Sequence, residues 1–154
     1  MSNPLKKIMV DVSRNPIDEI TLRLYERPNT TGRELITKIC LSLGLLQPQS
    51  SQDVIVDVLH VVILASKKKE FTSSKNIELK VKDTRREHNL SAKGTASSNI
   101  RRILKQLIDF GLIEKTKAQY RIVDFKEPAD VFETITQTKF QKILSRNKEY
   151  LSKI

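Results

Sequence analysis

Between Ser51 and Phe71 runs "SQDVIVDVLHVVILASKKKEF", in which every residue from Val54 to Ala65 except Asp57 and His60 is apolar. A segment apolar on nearly every side must lie at the centre of whatever folds around it. Its β-branched content suits a buried strand. Its length exceeds a usual strand, however, with a serine ahead as a cap and lysines closing the run, so the sequence predicts a central, largely buried helix. His60 in that setting is expected to be packed or hydrogen-bonded rather than a ligand.

A central helix needs cover, and the rest of the chain offers it in amphipathic pieces. With 154 residues, four glycines and five prolines, the chain is long enough for one domain with its own core and is predicted to be mainly helical. Residues 5–12 ("LKKIMVDV") are expected to add a short strand or arm. After Pro16, the spacing of Ile17, Ile20, Leu24 and Tyr25 predicts a helix that breaks at Pro28. Thr30 or Thr31 then caps another, with Leu35, Ile36, Ile39, Cys40 and Leu43 on one face and Gly44 as its stop. Cys40, the single cysteine, is expected as a buried thiol. Residues 75–83 alternate as a strand would, yet a serine-rich start and the spacing of Ile77 and Val81 favour a short helix. Beyond Pro128, the residues Val131, Phe132, Ile135, Phe140, Ile143, Leu144 and Leu151 mark one long or broken helix.

Charge is distributed unevenly. The net is +10, and from Lys67 to Arg121 there are 15 Lys and Arg against 6 Asp and Glu, a net of +9 that leaves +1 for the remainder. A concentration of that kind is the footprint of a surface for a polyanion. Aromatic residues make up only 5% and are not interleaved with the basic run as a stacking platform would require, which disfavours RNA and single-strand binding.

Within the basic segment lies "SSNIRRILKQLIDFGLIEKTKAQYRIVDF". Ile100, Ile103, Leu104, Leu107 and Ile108 form one apolar stripe at i, i+3, i+4, i+7 and i+8. Ser98, Arg102, Lys105 and Asp109 fall opposite it, flanked by Asn99, Arg101 and Gln106, with Ser97 in the first turn. Hydroxyls, amides and guanidinium groups at the start of a helix suit phosphates and base edges. Gly111 stops the helix, Leu112 and Ile113 begin a strand, "EKTKAQ" turns, and "YRIVDF" returns.

Helix, glycine stop and hairpin together resemble the winged helix-turn-helix family. That resemblance implies a mainly α fold with a small β-hairpin, carrying extra N- and C-terminal helices. It divides the chain into an N-terminal helical extension (1–50), a winged-helix domain (51–126) and a C-terminal helix (127–154) that either joins two copies or completes a larger monomeric core. Asp53 to Lys69 would be its first helix, Thr72 to Asp83 its second and Ala96 to Phe110 its reader. Between Asp83 and Ala96 the chain departs from the family's compact turn, and either the second helix extends through "TRREHN" or an elaborated loop carries Arg85, Arg86 and Lys93.

The implied function is sequence-specific binding of double-stranded DNA by a transcriptional regulator, reading a major groove with 96–110 and the backbone with a basic wing. The residues expected at DNA are Ser97, Ser98, Asn99, Arg101, Arg102, Lys105 and Gln106 on the helix, Arg85, Arg86 and Lys93 before it, and Lys115 and Lys117 in the wing. A winged-helix subunit of a protein assembly and a replication or plasmid-maintenance protein are the alternatives. No catalytic motif is evident, the two histidines stand 28 positions apart with no cysteine near them, and no enzyme, metal, cofactor or small-molecule ligand is expected. With no apolar run long enough to span a bilayer and no signal peptide, a cytoplasmic protein with no membrane partner is expected.

Overall fold

The apolar run folds as helix α2 (Val54–Lys67), and eleven of its fourteen residues are buried. In this computed structural model, which describes residues 12–154, the other elements are arranged around it. They are α1 (Gly32–Ser42), β1 (Thr72–Ser73), α3 (Ser74–Glu87), α4 (Ser97–Phe110), β2 (Ile113–Thr116), β3 (Gln119–Ile122), a 3-10 turn (Val123–Phe125) and α5 (Pro128–Leu151). The described residues are thus mainly helical, with a small antiparallel sheet in the order β1-β3-β2. Leu59, Ile77, Val81, Ile100, Leu104, Leu107, Leu112, Ile113 and Ile122 are fully buried where α2, α3, α4 and the sheet meet. β-branched residues are poor helix formers in isolation, and burial on all sides overrides that preference in α2.

Residues 75–83 are helical, and α3 extends through "TRRE" to Glu87, so the connection to α4 spans only residues 88–96. Ser73 both ends β1 and caps α3, its hydroxyl accepting from the Asn76 N–H at 3.1 Å. The pairing of β1 with β3 is a strand that the sequence reading did not anticipate. His60 is half-buried in α2, and burial lowers its pKa; Cys40 is fully buried, its thiol pushed up to about 12 by burial.

The helix expected after Pro16 is absent, and residues 18–31 run in irregular, extended backbone. Ile17 and Leu24, which were to have lined its apolar face, are 97% and 100% exposed. What holds the segment is Arg23. Its N–H donates to the Ser42 carbonyl, and its guanidinium donates to the carbonyls of Leu41 and Leu46 and to Gln47 Oε1. The end of α1 leaves carbonyls without helical partners, and an extended strap that supplies donors there outcompetes a short helix of its own. The strap passes so close that a Cβ on Gly44 (φ +75°) would lie 2.6 Å from the Thr21 carbonyl oxygen. Of the expected arm at residues 5–12, all but Val12 lies outside the described residues.

The turn between β2 and β3 places Lys117 and Ala118 at φ +50° and +62°. Two successive left-handed residues match the twist of a tight hairpin but are the conformation that non-glycine residues avoid. Ala118→Gly should therefore stabilise the fold by about 1 kcal/mol, read as a higher urea midpoint with an unchanged slope; no gain would mean the turn is not held left-handed in solution.

Candidate nucleic-acid interface

Helix α4 turns its apolar stripe inward and leaves Ser97, Ser98, Arg101, Arg102, Lys105 and Gln106 exposed, as the spacing predicted. Gly111 ends it at φ +100°, with its N–H on the Leu107 and Ile108 carbonyls. The exposed cations are held loosely by their own helix. Arg102 forks onto Asn99 Oδ1 at 2.7 and 3.1 Å, Lys105 meets Asp109 at 3.1 Å, and Arg101 leans on the Ser97 carbonyl at 3.4 Å. Such exposed pairs are worth little and release readily to a phosphate.

Asn99 and Gln106 are engaged differently from the others. The Asn99 amide donates to the Gly94 carbonyl at 2.7 Å while its oxygen accepts from Arg102, so both ends of the side chain fasten the 88–96 loop and aim Arg102. Gln106 reaches back to the Leu45 carbonyl at 3.5 Å, toward the end of α1.

Helix α3 contributes a second basic row, of which the sequence picked out only Arg86. Lys75, Lys82 and Arg86 lie at i, i+7 and i+11, one above another on the same stripe as Glu78. Glu78 is held below its ordinary pKa, first by the hydrogen bond from Lys82 and further by the charges of Lys82, Lys75 and Arg101. The α3 row and Arg101 of α4 therefore share one electrostatic neighbourhood. The spacing of Lys75 and Lys82 was visible in the sequence, but it gained meaning only once 75–83 was known to be helical. Lys93 is exposed in the connecting loop, and Arg86 is exposed beside Asp83. On the hairpin, Lys115 extends over the Tyr120 ring at 5.8 Å and Lys117 occupies the exposed turn.

Arg85 leaves the candidate set. It is 4% exposed, and its guanidinium donates to Asp57 Oδ2 at 2.8 Å, to Asp53 Oδ1 at 3.0 Å and to the Ser91 carbonyl at 2.6 Å. Arg33 of α1 binds the same two carboxylates. An acid buried within an apolar helix demands a cation, and Asp57 at 1% exposure recruits two. The cluster ties α1, α2, α3 and the loop ahead of α4 together, so Arg85 positions the surface without being on it.

Among the described residues, no group of three or more His, Cys, Asp or Glu is arranged to hold a metal ion, and no helix is long and apolar enough to cross a membrane. Compared with known proteins, the chain matches no family model, no curated protein and no solved structure.

Proposed function

We propose that the chain is a double-stranded DNA-binding protein of winged-helix type, acting as a transcriptional regulator. The observation that carries this reading is the exposed face of α4, where Arg101, Arg102 and Lys105 stand free of the core beside the basic row of α3. The succession of α2, α3, α4 and a hairpin supports the winged-helix assignment. In it, α4 lies along a major groove with Ser97, Ser98, Arg101, Arg102 and Lys105 toward the DNA. Lys75, Lys82, Arg86 and Lys93 meet flanking phosphates, and Lys115 and Lys117 of the hairpin touch the backbone or a minor groove. Asn99 serves as a positioning residue, and Gln106 stands at the margin.

The test is selection from a pool of random duplexes at two salt concentrations, followed by sequencing of what is retained. Enrichment of one motif, with affinity falling steeply as salt rises, is expected of a specific reader. Retention without enrichment would remove the sequence-specific regulator, and absence of retention at low salt would remove DNA as the partner.

A further inference from the structure

Helix α5 changes its apolar face partway along. Its first half is held to the body through buried Val131, through Ile135 packed against Gly111, and through Lys139, whose ammonium lies over the Phe110 ring and 3.6 Å from Asp18. Beyond Lys139 the apolar positions rotate to a different side. Phe140, Leu144, Tyr150, Leu151 and Ile154 are all exposed, Leu144 least at 39%, and half-buried Ile143 joins them. On a helical projection continued past the end of α5 at Leu151 to Ile154, these six and Asn147 occupy one stripe about 120° wide, and Lys142, Arg146, Lys148, Glu149 and Lys153 all fall outside it. Scattered exposed apolar residues are ordinary, whereas a continuous stripe of this kind marks a contact surface.

The stripe has a symmetry of its own. Counted outward from Asn147, apolar residues stand at three positions on either side (Leu144, Tyr150), at four (Ile143, Leu151) and at seven (Phe140, Ile154). Two copies laid antiparallel with Asn147 opposite Asn147 would therefore set Phe140 against Ile154, Ile143 against Leu151 and Leu144 against Tyr150. Every apolar side chain meets another, and the two central amides meet each other, a device that fixes register in paired helices. We infer that residues 140–151 of α5, with residues 152–154 that follow it, pair antiparallel with the same segment of a second copy of this chain, about a two-fold axis at Asn147.

The paired stripes would cover roughly 1,000 Å² over both copies, at the low end of specific interfaces, so the dimer is expected to be weak and concentration-dependent. Its rim is basic, and like charges across the seam repel. Added salt should thus tighten the dimer, the opposite of its effect on DNA, which keeps the two proposals separable.

Cysteine trapping in the full-length chain tests the arrangement, since native Cys40 is buried. Asn147→Cys should form an interchain disulfide under mild oxidation. Phe140→Cys alone should not, because the two copies of position 140 would lie about 21 Å apart along the helices, whereas Phe140→Cys with Ile154→Cys should cross-link. Cross-linking of Phe140→Cys alone would mean a parallel pair and overturn the register. Sedimentation equilibrium of the unmodified chain up to several hundred micromolar, at low and high salt, is the second arm. A chain that stays monomeric throughout would overturn self-pairing and point instead to an acidic partner for the stripe.

Discussion

Replacing Arg85 with alanine is expected to lower the unfolding free energy by about 2–3 kcal/mol, because it removes charge-assisted hydrogen bonds to buried Asp57 and to the Ser91 carbonyl while Arg33 alone still compensates the carboxylate. The same change at Arg86, the next residue, should cost less than about 0.5 kcal/mol, since its side chain is 78% exposed and its ion pair with Asp83 is solvated. Arg85 Nη1 donates to two carboxylates while Nε donates to the Ser91 carbonyl, a fork that lysine lacks, so Arg85→Lys should recover little. Against a total stability of roughly 5–15 kcal/mol, the loss in Arg85→Ala is a large fraction for one surface-distant side chain. Urea titration of the three variants measures this directly. Equal midpoints for Arg85→Ala and Arg86→Ala would show that the buried cluster does not form.

The same cluster sets the response to acid. Burial pushes Asp53 upward, but hydrogen bonds from Arg33 and Arg85 outweigh it and hold the carboxyl below its ordinary value. A folded pKa below the unfolded one gives stabilisation that is complete above roughly pH 4 and lost as pH falls through the folded value. Arg85→Ala removes one of the two donors and should flatten the acid limb of the stability curve.

Arg85 and Arg86 also show where sequence reasoning stops. Both belong to a basic run, and nothing local separates them. The available signal was Asp57, an acid set in an apolar helix, which requires a buried cation without naming it. Helix α4 was legible to within a residue because a single stripe, a glycine stop and a polar opposite face all agree, and the hairpin followed from the alternation beyond Gly111. The strap at 18–31 was not. Its apolar spacing mimics a helix, and the carbonyls that claim Arg23 belong to α1, a helix whose end has no address until the fold exists. β1 is two residues long and has no periodicity to read.

The triple substitution Arg101→Ala, Arg102→Ala, Lys105→Ala should weaken duplex binding ~100-fold near physiological salt and make the dependence of log affinity on log salt shallower by ~2.7, the amount three phosphate contacts account for. All three side chains are exposed and their internal partners are solvated, so the fold should be retained. Loss of net charge alone also weakens binding to a polyanion, and the comparison that isolates contact is a second triple variant. Arg14, Arg27 and Lys126 are exposed and lie outside the basic segment, so changing them to alanine removes the same formal charge from elsewhere. Lost contacts move the salt slope as well as the affinity, whereas remote charge acts through a screened field that salt suppresses. The α4 variant should therefore change both quantities and the remote variant neither by much. Matching losses in the two variants would mean that DNA senses only the overall charge of +10 and that α4 is not its docking face.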